Sequence, residues 1–135
     1  MTSAAEQVHA ALAADADLAA VVGARLYHAK LPKADPETPN GRFPCVRYYA
    51  AGLGAGLDSH DGAAGWERPR WSFDCWAADG ASAWALADAL RAALRASALT
   101  ARVVSLVDLP DAATGLHRVV VDATLWTALT QGDES

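Results

Sequence analysis

Apolar and polar residues alternate from Trp71 to Cys75, with Trp71, Phe73 and Cys75 on one side and Ser72 and Asp74 on the other. A period of two belongs to a half-buried strand, apolar inside and polar outside. At Asp79-Gly80 the period changes. Ala83, Leu86, Ala87, Leu90 and Leu94 then share one helical stripe, with Asp88, Arg91 and Arg95 opposite. This spacing predicts an amphipathic helix with Asp79 or Ser82 as its N-cap. A helix that follows a strand so closely folds back over the sheet, and the stretch from Glu67 to Leu99 is the unit that the rest of the chain completes.

The same test along the chain predicts the other elements. Ser3-Ala-Ala-Glu6 is a capping box, and Val8 and Leu12 continue an apolar stripe behind it. Asp15-Ala-Asp17 interrupts the stripe; Asp17 can cap a second short turn through Leu18, Val21 and Val22, which Gly23 ends. Arg25 to Ala29 is a short strand candidate. Leu31 to Phe43 holds Pro32, Pro36, Pro39 and Asn40-Gly41 and is a long loop. Pro44 to Ala50 is a strand, with Pro44 at its first position, where a missing N–H is tolerated. Ala51 to Gly65 carries Gly52, Gly54, Gly56, Gly62 and Gly65 and is a flexible excursion between two antiparallel strands.

Arg102 to Leu109 is a β-branched run closed by Pro110, and Thr114-Gly115 supplies a turn. From Leu116 to Leu129 both faces carry large apolar residues, as in a central strand or one whose second face meets another subunit. Gln131 to Ser135 is a polar tail. Strands beside segregated helices give an α+β fold: a mostly antiparallel sheet of four to five strands with two helices packed against it. The expectation is one domain over residues 1–135, with flexible loops near 31–43 and 51–65.

Composition narrows the function classes. The chain has 135 residues, 53% of them hydrophobic, which suits a packed globule. Eleven Lys and Arg against sixteen Asp and Glu leave a formal charge of -5, with no basic block for nucleic acid. No apolar run approaches the roughly 18 residues of a membrane span. Met1-Thr2-Ser3 lacks the basic start of a secretory leader, so folding in a cytosol with reduced thiols is expected. Cys45 and Cys75 are then buried small hydrophobes.

No catalytic constellation emerges. Gly52-Leu-Gly54-Ala-Gly56 lacks the glycine spacing and following helix of a dinucleotide fingerprint. Ser59-His60-Asp61 has the letters of a triad, but adjacent residues cannot adopt its geometry. His9, His28, His60 and His117 lie too far apart for a zinc motif, and no carboxylate pair suits acid–base work. The expectation is no enzyme, no cofactor and no metal.

The tryptophans say more. Trp71 belongs with Phe73 in the core. Trp76 takes the opposite face, Trp84 flanks the helix stripe, Trp66 lies beside the glycine-rich loop, and Trp126 ends the last long strand. These side chains fill a small core or line subunit contacts, where Trp is enriched. Arg47, Arg68 and Arg70 in the same neighbourhood form a polar rim or a solvated strand face. The candidate subunit-interface positions are Arg47, Arg68, Arg70, Trp76, Trp84 and Trp126.

Five stretches together resemble the tail-completion, or tail-terminator, proteins of long-tailed phages and gene transfer agents. They are Leu12 to Tyr27, Phe43 to Tyr49, Arg70 to Trp76, Ala83 to Leu94, and Thr114 to Trp126. The glycine-rich material from Gly52 to Gly65 departs from the pattern. The resemblance implies a virion protein that caps the tail tube as a ring, usually a hexamer, ends tube polymerisation and forms the joint to the head connector. Its partners would be itself, the major tail tube protein and a head–tail connector or stopper protein, with no membrane and no sequence-specific nucleic acid, although DNA would pass through the ring. Its place would be the head-proximal end of the tail, reached from the host cytoplasm. Another tube or connector subunit, or a small cytosolic ligand-binding domain, are the competing readings.

Overall fold

The computed structural model describes residues 3–38, 40–52, 66–67, 70–111 and 113–128. The expected excursion over 51–65 lies outside them from residue 53 on, as do Arg68 and the polar tail.

Three helices and seven strands occur among the described residues. Helix α1 spans Ala4–Ala13, α2 Ala16–Val22 and α3 Gly80–Ala96. The strands are β1 Leu26–His28, β2 Cys45–Gly52, β3 Trp66–Glu67, β4 Arg70–Ala77, β5 Arg102–Pro110, β6 His117–Thr124 and β7 Thr127–Ala128. Five of them form one sheet in the order β1-β2-β4-β6-β5, and β3 pairs with β7. The β1–β2 pair is parallel and the other three pairs of the sheet are antiparallel, so the sheet is mixed but mostly antiparallel.

The helix ends follow the side chains that satisfy their free N–H groups. Both halves of the Ser3–Glu6 capping box form, at 3.1 and 2.8 Å. Asp79, not Ser82, caps α3 by accepting from the Ser82 N–H at 2.7 Å. The expected second turn is a full helix, and its cap is Asp15 rather than Asp17, through a 2.9 Å bond from the Leu18 N–H. Gly23 ends α2 at φ +57°, a conformation that L side chains rarely adopt.

The helices pack on one face of the sheet. Val8, Leu12, Leu18 and Val22 meet Leu86, Leu90 and Leu94 of α3 over Val46, Tyr48, Trp71, Phe73, Val119 and Val121. Both thiols are free and buried, but the β2–β4 register puts Cys45 opposite Trp76 and Cys75 opposite Val46, so they lie on different faces. Burial pushes the Cys45 thiol up to about 12 and raises Cys75 further.

Candidate subunit interface

The cross-strand register assigns the other face of the sheet. Arg47 opposes Asp74, Asp74 opposes Val120 and Val120 opposes Val107. Arg70, Ser72 and Trp76 share that face through their partners Thr124, Asp122 and Arg118. This is the polar side of the alternation, and β4 departs from expectation there: Ser72 is 5% exposed and Asp74 only 1%. The cause is long-range. Arg47 on β2 reaches across with its Nε and Nη2 to Asp74 Oδ2 at 2.9 and 2.6 Å, and Arg118 on β6 adds a third contact at 3.5 Å. Two guanidinium groups thus cover and neutralise one buried carboxylate.

A second cluster lies beside the first. Asp122 accepts from Arg70 at 3.1 Å, from Ser105 at 3.2 Å and from the Ser72 hydroxyl. Arg47 also stacks over the Tyr49 ring and bonds the Ala29 carbonyl. Trp76 has the Arg118 guanidinium over its ring, 4.9 Å from the centre, and the Phe43 ring 5.7 Å away at a tilt. Arg47, Arg70 and Trp76 therefore belong to one grid of charges and rings.

The remaining expected positions lie elsewhere. Trp84 is on the helix side, where its indole N–H donates to Asp108 of β5 at 3.2 Å. His117 bonds the same carboxylate. Trp126 is half-buried just after β6, its backbone N–H bonded to the Leu99 carbonyl at 2.8 Å.

One surface was missed by sequence reasoning. Val103, Val104, Leu106, Val107 and Leu109, all on β5, are between 36% and 46% exposed. Among the described residues Val21, at 39%, is the other large apolar side chain so exposed. β5 is an edge strand, so its outer N–H and C=O groups add to this apolar row. The available signal was Arg102 to Leu109 itself, a run apolar at both parities that resembles a buried strand.

No three His, Cys, Asp or Glu among the described residues gather as metal ligands. A groove of about 500 Å³ between α1 and the end of α3 is lined mainly by alanines. No described helix is long and apolar enough to cross a membrane.

Comparison with known proteins adds what geometry alone leaves open. The family model for Tail completion protein gp17 matches residues 6–128. Among solved structures, a chain described as "Virion of native gene transfer agent (GTA) particle" is similar in fold, with a TM-score of 0.52 and 22% identity. The likeness covers 89% of this chain and 92% of that one. No curated protein matches the sequence. A family match over nearly the whole length of this α+β domain shows the family: the chain belongs to the tail completion protein gp17 family and is a structural tail protein.

Proposed function

We propose that the protein forms a hexameric ring at the head-proximal end of the tail tube, stops the tube from growing, and offers the surface on which the head connector docks. The observation that carries this reading is the family match over residues 6–128. Its mechanism is assembly, with no bond made or broken. Two features of the molecule suit it. The ion-paired face stiffens the sheet, and β5 leaves a row of apolar residues at one edge, as a domain with further contacts to make requires.

The six candidate positions divide by role. Arg70, 52% exposed, and the half-buried Trp84 and Trp126 keep part of their side chains at the surface, where a neighbour would meet them. Arg47 and Trp76 act through the grid that orders the sheet face, and Arg68 lies outside the described residues. The partners are other copies of the chain, the tail tube protein and the connector or stopper.

The test is particle assembly without this protein. The expected result is tail tubes of uncontrolled length and heads that carry no tail, both corrected by adding the purified protein. Normal tails joined to heads in its absence would refute the capping role. Open-ended polymerisation of the purified protein would instead mark a tube subunit.

A further inference from the structure

The two edges of the sheet are unlike, and their differences match. We propose that the β5 edge of one copy pairs with the β1–α2 edge of the next, so that the sheet continues from subunit to subunit. This rests on the ring proposed above and names the surfaces that close it.

The first observation is where the exposed apolar residues lie. Five large apolar residues line β5, and the sixth among the described residues, Val21, is at the other edge. Arg25, the residue before β1, ties Val21 there by donating to its carbonyl at 3.3 Å. β5 and β1 are the two terminal strands of the sheet. On the helix side of the sheet, Val103 and Leu106 of β5 and Val21 of α2 are the exposed apolar residues that such a contact covers, and the paired strand edges cover Val104, Val107 and Leu109.

The second observation is strand direction. β1 and β2 run one way, β4 the other, β6 with β2, and β5 against β6. β5 is therefore antiparallel to β1. A neighbour placed beside β1 by rotation alone presents its β5 in the antiparallel sense, with both helix layers on the same side. The ladders also match in height. Leu26, Val46, Cys75, Val119 and Asp108 form one row across the sheet, and Tyr27, Arg47, Asp74, Val120 and Val107 form the next.

Charge supplies a third, independent match. A notch of about 140 Å³ between α3 and β5 is lined by Arg91, Leu94, Arg95, Ala101 and Val103. Its two guanidinium groups lie near the C-terminal end of α3. Asp15, which caps α2, lines a groove with Ala96 and Leu99 at that same end. Asp17, exposed in the first turn of α2, is thus at the height of the notch and is a carboxylate for it. Near the opposite end, β5 leads into Asp111, whereas Arg25 stands before β1. Acid meets base at both ends when the polarity is kept. A contact of this kind is heterologous and closes into a ring when the rotation allows.

The experiment compares wild type, Val107→Asp on β5, the double variant Asp17→Lys/Val21→Asp on α2, and a one-to-one mixture of the two variants. Mass is measured by light scattering, and by cross-linking on purified tail tubes. The substituted residues are exposed, so circular dichroism and denaturation midpoints should stay at wild-type values; Val104→Lys provides a second β5 variant. The expected result is a wild-type ring, monomers from each variant alone, and dimers from the mixture, which retains one intact pair of edges. Val107→Asp and Val104→Lys rings at wild-type concentration would overturn the edge pairing while leaving the capping function standing. Self-dimers of the α2 variant would also overturn it, since they show β5 pairing with itself. Wild-type protein that forms no ring in solution or on tubes would overturn the capping function instead.

Discussion

Strands β4 and β5 lie in one sheet, separated by β6, and their fates are opposite. β4 alternates apolar with polar residues, yet Trp71 to Cys75 are buried on both faces, Asp74 included. β5 is apolar at both parities, yet Val104 and Val107 are 46% and 43% exposed. Hydropathy alone would reverse the two. Position in the strand order decides instead: β4 has a neighbour on each side and helices above, whereas β5 has β6 on one side only. An interior strand can bury a charge because its neighbours carry arginines. An edge strand this apolar leaves a row of hydrophobic side chains in contact with water.

The largest effect expected from breaking the contrast is in the core. Phe73→Ala on β4 should cost about 4 kcal/mol, since it empties a fully buried position. Leu106→Ala on β5 should cost about 1 kcal/mol or less, because much of that side chain is already in water. Urea denaturation of both variants measures the gap, and equal losses would mean that β5 is as buried as β4.

Next comes the charge grid. Asp74→Asn should destabilise by about 2 kcal/mol, which is below the full penalty for breaking a buried pair because Arg47 and Arg118 retain 28% and 31% exposure. Arg70→Ala should cost about 0.5 kcal/mol, its side chain being 52% exposed. Denaturation at low and high salt separates them: the Arg70–Asp122 contribution should fade with salt and the Asp74 contribution should persist.

The thiols give a smaller, pH-dependent effect. Cys45 and Cys75 have folded-state values raised by burial above the ordinary 9.0, so their neutral forms favour the fold. That stability is complete below about pH 9 and is lost as pH climbs toward 12, through the window in which the unfolded thiols ionise first. Melting temperatures from pH 8 to 11 should fall, and less steeply in Cys75→Ala after its lower baseline is subtracted. The smallest effect is at Trp84. Replacement by phenylalanine removes the bond to Asp108 and should cost about 0.5 kcal/mol, read from a small shift in melting temperature.

Much of the architecture could be read from local patterns, because the patterns are local physics. The Ser3 capping box, the Asp79 cap, the α3 stripe and the interior place of β6 all follow from residues within a few positions of each other. Asp15 and Asp17 both suit an N-cap by type, and only the backbone path chooses Asp15. What local pattern could not supply was pairing over distance. The burial of Asp74 depends on Arg47 and Arg118, which lie 27 and 44 positions away in the chain. The exposure of β5 depends on strand order, which its own residues do not encode. Strand parity puts Trp76 on the face opposite Trp71, but its place beside Arg118 and the contact of Trp84 with β5 both depend on pairing over distance.

A reconstruction of the parent particle at side-chain resolution tests the central claim most directly. The account predicts a closed ring of this chain on the head-proximal end of the tail tube, with β5 of each subunit against the β1–α2 edge of the next. Density for the chain elsewhere in the particle, or a ring in which β5 faces solvent, would contradict it.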